Sequence, residues 1–196
     1  MSGTAEQETG DVLIAPFSGI ECVALRYQIE ECRLSFPYIL PWYVTIHEAT
    51  RAVEFSVQSA AGTVPITEPI RTVVLTNKIV ETTSADRAPS ERIKQFEQKH
   101  EDIPESTVWQ RPPAPLEPLF RMLSLGTRRY SEQRAARGED VTVVGHVTDG
   151  GSGIDPVVVS DRSSMATVFR MAKTSIAGLL VGVCGLLLGY FLLFFG

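Results

Sequence analysis

Six side chains in this 196-residue chain could take part in metal or thiol chemistry: Cys22, Cys32, Cys184, His47, His100 and His146. A structural zinc ion takes four Cys or His ligands, usually in closely spaced pairs. No Cys-x-x-Cys pair occurs, and Cys184 lies inside an uncharged apolar run. His47-Glu48-Ala49-Thr50-Arg51 begins as a zinc-protease helix does, but Arg51 stands where the second imidazole belongs. The spacing therefore predicts no metal and no cofactor. Cys22 and Cys32 flank a stretch that reads as one strand, about 33 Å of extended chain, too long a separation for a disulfide. Both are expected to be small buried thiols. Gly151-Ser152-Gly153 lacks the strand and helix that flank a nucleophile elbow. The pairs Glu30-Glu31 and Glu101-Asp102 read as solvated side chains, pointing to opposite sides or sitting in exposed turns rather than facing one another for acid–base work. His100 at a helix end and His146 on a strand read as structural or solvated. No catalytic residue is expected.

The elements that would position these residues divide into a soluble part and a tail. Ser175 to Gly196 holds no charged residue, and 16 of its 22 residues are apolar. As a helix it would extend about 33 Å, enough for the hydrocarbon core of a bilayer. Arg162, Arg170 and Lys173 precede it and no charge follows. By the positive-inside rule the expectation is a single-pass, tail-anchored protein with a cytoplasmic N-terminal domain. Gly178, Gly182, Gly185 and Gly189 fall on one side of the helix, a face on which a second helix could pack to form a homodimer. The net charge of −5 offers no concentrated basic face, so nucleic acid is not an expected partner.

Residues 1–11 read as a flexible acidic leader, 12–162 as a β-rich domain, 163–174 as a basic juxtamembrane helix and 175–196 as the membrane helix. Within the domain, Val12–Phe17 reads as a short extended piece, and Cys22–Cys32 alternates apolar and polar residues as a half-buried strand does. Strands are also expected at Trp42–His47, Val53–Val57, Thr63–Ile66, Arg71–Thr82, Val141–Val147 and Val157–Val159. In the penultimate strand Val141, Val143 and Val147 should face one way. Pro89–His100 predicts a helix with Ile93, Phe96 and His100 on one stripe. Ile103–Pro118 reads as a proline-rich loop, Tyr130–Arg137 as a turn or short helix closed by Gly138, and 150–153 as a glycine-rich turn. Leu116–Leu123 reads either as a short core helix or as an exposed apolar lip for a partner or a bilayer surface. Trp42, Tyr43, Trp109, Phe120 and Met122 are the aromatic and apolar residues to be placed. The fold class expected is mainly β (α+β), an antiparallel, barrel-like domain with one packed helix, followed by a C-terminal transmembrane helix.

In this order the residues resemble a known family. Ala15-Pro16-Phe17-Ser18-Gly19-Ile20-Glu21-Cys22, running on to Tyr27, is similar to the opening of the GIDE domain. A Trp-containing strand at Trp42 follows, then Gly62-Thr63-Val64-Pro65-Ile66. The turn Ser59-Ala60-Ala61-Gly62 departs from the family's Asp-containing turn. The segment Pro89–Phe96 resembles the helix of prokaryotic, archaeal-type members. Tyr130-Ser131-Glu132 with Gly138-Glu139-Asp140-Val141 and Gly145 is similar to the closing motif. The resemblance covers roughly residues 12 to 170.

Membership would imply a sensing or substrate-binding module. Eukaryotic relatives are membrane-anchored ubiquitin ligases whose chemistry resides in a separate RING. A RING binds two zinc ions through eight Cys or His ligands, and this chain has six such residues, one in the apolar tail. The expected function is therefore a membrane-anchored, non-catalytic interaction module that binds a protein partner beside the lipid bilayer. The alternatives are an accessory subunit of a ubiquitin-like modification or quality-control system, and a lipid sensor.

Overall fold

The computed structural model describes residues 1–6, 12–35, 40–60, 62–66, 72–148, 153–161, 178–179 and 181–186. The chain forms two compact units, Met1–Asp161 and Arg162–Gly196. The first is mainly β, with few helices.

Five strands close a barrel-like sheet: β1 (Ser2–Glu6), β6 (Phe55–Ser59), β7 (Gly62–Ile66), β12 (Ile154–Ser160) and β11 (Asp140–Val147). β1 lies between β6 and β11, and β12 joins β11 to β7. A short strand, β8 (Thr72–Val74), adds to β12. Inward residues alternate along each strand, and Ala5, Phe55, Val57, Ile66, Val141, Val143 and Val159 fill the core. Most pairings are antiparallel, as expected for an antiparallel, β-rich domain, but β12 pairs with β7 and β8 in parallel.

The flexible leader is corrected too. Ser2–Glu6 forms β1, paired on both sides, and the terminal ammonium of Met1 donates to Val143 O at 2.8 Å. Its small residues serve close packing: a Cβ at Gly3 would collide with the backbone of Gln58 on β6. Residues 7–11 lie outside the described residues.

A second sheet runs β5 (Leu40–Ala52), β4 (Ala24–Ser35), β10 (Arg128–Ala135), β9 (Lys78–Thr83), antiparallel throughout. The ribbon of β2 (Leu13–Ile14) and β3 (Glu21–Cys22) leads into it. Helix α1 (Glu91–Lys99) packs on one face through Ile93 and Phe96, over Phe17, Leu25, Tyr27, Ile29 and Tyr130. At its start the Glu81 carboxylate accepts the Ser90 amide at 3.0 Å, satisfying a donor that the helix leaves open.

Further expectations change. Tyr130–Arg137 is not a turn or helix: Arg128–Ala135 is an interior strand. Arg71–Thr82 is not one strand, since β8 and β9 belong to different sheets. Trp42–His47 extends to Ala52 as β5, and the following strand begins at Phe55. Val147, at the end of β11, is exposed while Val141 and Val143 are buried; the register shift between the two strands leaves the extra residue, Val157, on β12. The proline-rich stretch holds more structure than a loop: a 3-10 turn at Ala114–Leu116 enters a second helix, α2 (Glu117–Met122).

In the second unit, Gly178, Leu179 and residues 181–186 are helical. Among the described residues no helix is long and apolar enough to cross a membrane. The rest of the run from Ser175 to Gly196, the segment 163–174 and the turn at 150–152 lie outside the described residues.

Candidate functional site

The motif positions of the opening and closing segments meet on one buried carboxylate. Glu132, fully buried on β10, accepts the amides of Phe17 and Ser18 at 2.7 and 3.1 Å. The Ser18 hydroxyl donates to it at 2.6 Å and Arg134 at 3.3 Å. Around this anchor the chain turns at Pro16–Gly19, with Gly19 at φ +74° and the amide of Ala15 donating to Ile20 O. Tyr27 and Tyr130 close on Phe17 edge-to-face at 5.7 and 5.5 Å. Burial first, then the Glu132 charge, pushes the Cys22 thiol up to about 11. Pro16, Ser18, Gly19, Cys22, Tyr27, Tyr130 and Glu132 thus form one structural bolt.

The other motif positions stand apart in the barrel. Gly62 is in the β6–β7 hairpin with φ +127°, and Gly138 is in the β10–β11 turn with φ +80°. Asp140 accepts from Thr4 at 3.2 Å, and Gly145 is at the register shift between β11 and β12.

A charged network joins α1, the 103–107 segment and the sheet. Arg128 reaches Glu97 at 2.7 Å, Pro104 O at 2.6 Å and Glu31 at 3.5 Å. Glu31 also accepts from Arg33 at 2.8 Å and from the Thr107 hydroxyl at 2.9 Å. Tyr130 donates to Glu97 at 2.9 Å, and its phenol is raised well above its ordinary value by burial and by that carboxylate. The solvated reading of Glu31 is therefore corrected: it is fully buried and ion-paired.

His47 and His100, fifty-three positions apart, come together with ring centroids 5.4 Å apart. His47 Nδ1 is 2.6 Å from Asp102, and His100 stacks on Phe96 while its Nδ1 meets Phe96 O at 2.9 Å. The hydrogen bond from His47 holds the Asp102 carboxyl below its ordinary range. The sequence reading had no means to pair these imidazoles, since β5 and the end of α1 meet only in the fold. Among the described residues no group of three or more His, Cys, Asp or Glu is placed to hold a metal ion. His146 lies on β11, exposed. Cys22 and Cys32 are buried free thiols, and Cys184 is exposed.

Further hollows border this network, and one of the clefts of the first unit has aromatic walls. A cleft of about 390 Å³ opens between the 84–86 turn, the 109–112 segment and α2. Its walls are Trp109 and Phe120, stacked at 5.7 Å and 23°. Trp109 is set by backbone contact: Gly126, at φ +75°, passes so close to the Trp109 carbonyl that no Cβ would fit. Gly126 in turn donates to Cys32 O at 2.8 Å, which ties the cleft to β4. Asp86, Arg111, Glu117 and Arg121 line the rim, with Glu117 and Arg121 paired at 2.8 Å. Leu116, Leu119 and Met122 of the adjoining turn and helix are exposed, Met122 at 73%. Leu116–Leu123 is therefore not a core helix, since Leu116, Leu119 and Met122 are exposed.

Of the tail's glycines, Gly178, Gly182 and Gly185 lie in the helical stretch, where a Cβ would meet nothing, and Gly189 is outside the described residues. Comparisons of the chain with protein-family models, with curated proteins and with solved structures found no match.

Proposed function

We propose that this protein is a non-catalytic interaction module of the GIDE type, held at a membrane by its uncharged C-terminal run, that takes a segment of a partner protein into the Trp109–Phe120 cleft. The observation that carries the reading is the pairing of a concave aromatic site with an exposed apolar lip. Half-buried aromatic walls give an apolar side chain a place to desolvate, and Leu116, Leu119 and Met122 add exposed apolar surface on the same turn and helix. Charges of both signs at the rim can fix the register of a bound chain without dominating its affinity.

The buried polar groups support the same reading. Glu31, Glu97 and Glu132 spend their oxygens on arginines, amides and hydroxyls that hold the fold together. A group so engaged is poorly placed to exchange protons with a substrate. The motif positions assembled around Glu132 support the GIDE assignment by giving those residue types a structural reason to occur in that order. The tether is supported by the 22 uncharged residues from Ser175 and the cations before them, which favour a cytoplasmic location for the domain.

The test is photo-cross-linking of the full chain in native membranes, with the reactive side chain at Leu119 or Met122. A discrete protein adduct that Trp109→Ala abolishes is the expected result. Adducts to lipid alone, or protein adducts indifferent to Trp109→Ala, would overturn the assignment of the cleft.

A further inference from the structure

We infer that the bare end of the four-stranded sheet, marked by Leu40, Trp42 and Val44, is a second contact surface whose occupant is the interfacial layer of a lipid bilayer. The inference rests on the membrane tether of the proposed function, but not on the cleft.

β5 is one of the sheet's two edge strands, and its residues at positions 40, 42 and 44 share one face. Leu40, Trp42 and Val44 are exposed by 62%, 67% and 38%. The register sets them opposite Ser35, Arg33 and Glu31 of β4. That face of β4 is covered at Leu25, Tyr27 and Ile29 by the α1 cluster, and at Glu31 by Thr107. Beyond Glu31 the described residues leave Leu40, Trp42 and Val44 exposed, and Val108, next to Thr107, is exposed as well. A flat apolar stripe on a long edge strand is an aggregation hazard unless something covers it.

Three observations favour lipid as the cover. Leu40-Pro41-Trp42-Tyr43-Val44 contains no charged side chain, and Trp beside Tyr is the pair whose apolar rings and polar tips suit the headgroup level. The cations nearby are engaged: Arg33, opposite Trp42 on β4, pairs with Glu31 at 2.8 Å, and Arg129 lies against the Tyr43 ring at 3.7 Å on the opposite face. Only residues 162–174 separate Asp161 from the uncharged run, and they carry Arg162, Arg170 and Lys173 but no acidic residue. Thirteen residues span at most about 45 Å, so a tethered domain meets the bilayer at high effective concentration. A surface too small to bind membranes alone can then stay engaged.

The experiment uses the full chain in phosphatidylcholine vesicles, with and without bromine-labelled acyl chains. The chain contains two tryptophans, so Trp109→Phe leaves Trp42 as the only indole. Brominated lipid should reduce Trp42 emission by at least about twofold, because a ring at the headgroup boundary lies beside the upper acyl chain. The exposed double substitution Leu40→Ser with Val44→Ser should restore emission while the chain still floats with the vesicles. Flotation with Trp42 unquenched by bromine, whether open to acrylamide or shielded by a second copy or a protein, would overturn this surface and leave the tether standing. Failure to float would overturn both.

Discussion

The Glu132 carboxylate and the Ser18 hydroxyl lie 2.6 Å apart although 114 positions separate them in the chain. Glu132 also holds the amides of Phe17 and Ser18, so a single buried charge ties the first turn of the domain to an interior strand. Ser18→Ala removes one charge-assisted bond and should cost about 1–2 kcal/mol; Glu132→Ala orphans the buried Phe17 amide and the part-buried Ser18 amide and should cost about 3 kcal/mol or more. Thermal unfolding of the full chain in detergent checks the order, with a drop of roughly 6–12 °C expected for Glu132→Ala.

Arg128 is the cation between Glu31 and Glu97. Arg128→Ala would leave carboxylates facing a buried void, a loss of about 3–5 kcal/mol. Arg128→Lys should fall between, since an ammonium cannot reach Glu97, Glu31 and Pro104 O with one planar fork. Denaturant unfolding of the three proteins measures this, and equal midpoints would contradict the network.

These contacts mark the limit of what the sequence makes legible. The strand at Cys22–Cys32 was readable because its alternation is local, and the helix after Pro89 because its apolar stripe is. β10 was not, since Arg128-Arg129-Tyr130-Ser131-Glu132 looks solvent-facing until its partners Glu31, Glu97 and Phe17, far along the chain, are supplied. β1 is illegible for the opposite reason: Ser2-Gly3-Thr4-Ala5 carries little apolar signal, and at Gly3 the Gln58 backbone leaves no room for a side chain. Trp109, Phe120 and Met122 were visible as residues to be placed, but the cleft depends on the backbone contact at Gly126.

Asp102 gives a pH signature. Its carboxyl is held below the ordinary value by His47, so the pair stabilises the fold above the usual carboxylate range and loses that effect as pH falls through the depressed value. The difference in unfolding temperature between the parent and Asp102→Asn should be full at pH 5 and shrink below about pH 4. Added salt should reduce it, because Asp102 is largely exposed.

The Cys22 thiol, raised to about 11, should resist alkylation in the folded protein. In a Cys184→Ser background at pH 8, its modification should be at least ~100-fold slower than that of a free thiol, and unfolding should abolish the difference. Mass spectrometry of the modified peptides reads both rates.

The tether is tested most directly by alkaline carbonate extraction of membranes from cells producing the full chain. The account predicts that the protein stays in the membrane pellet and that deleting residues 175–196 releases a folded domain to the supernatant. Recovery of the full chain in the supernatant, dispersed without detergent, would contradict it.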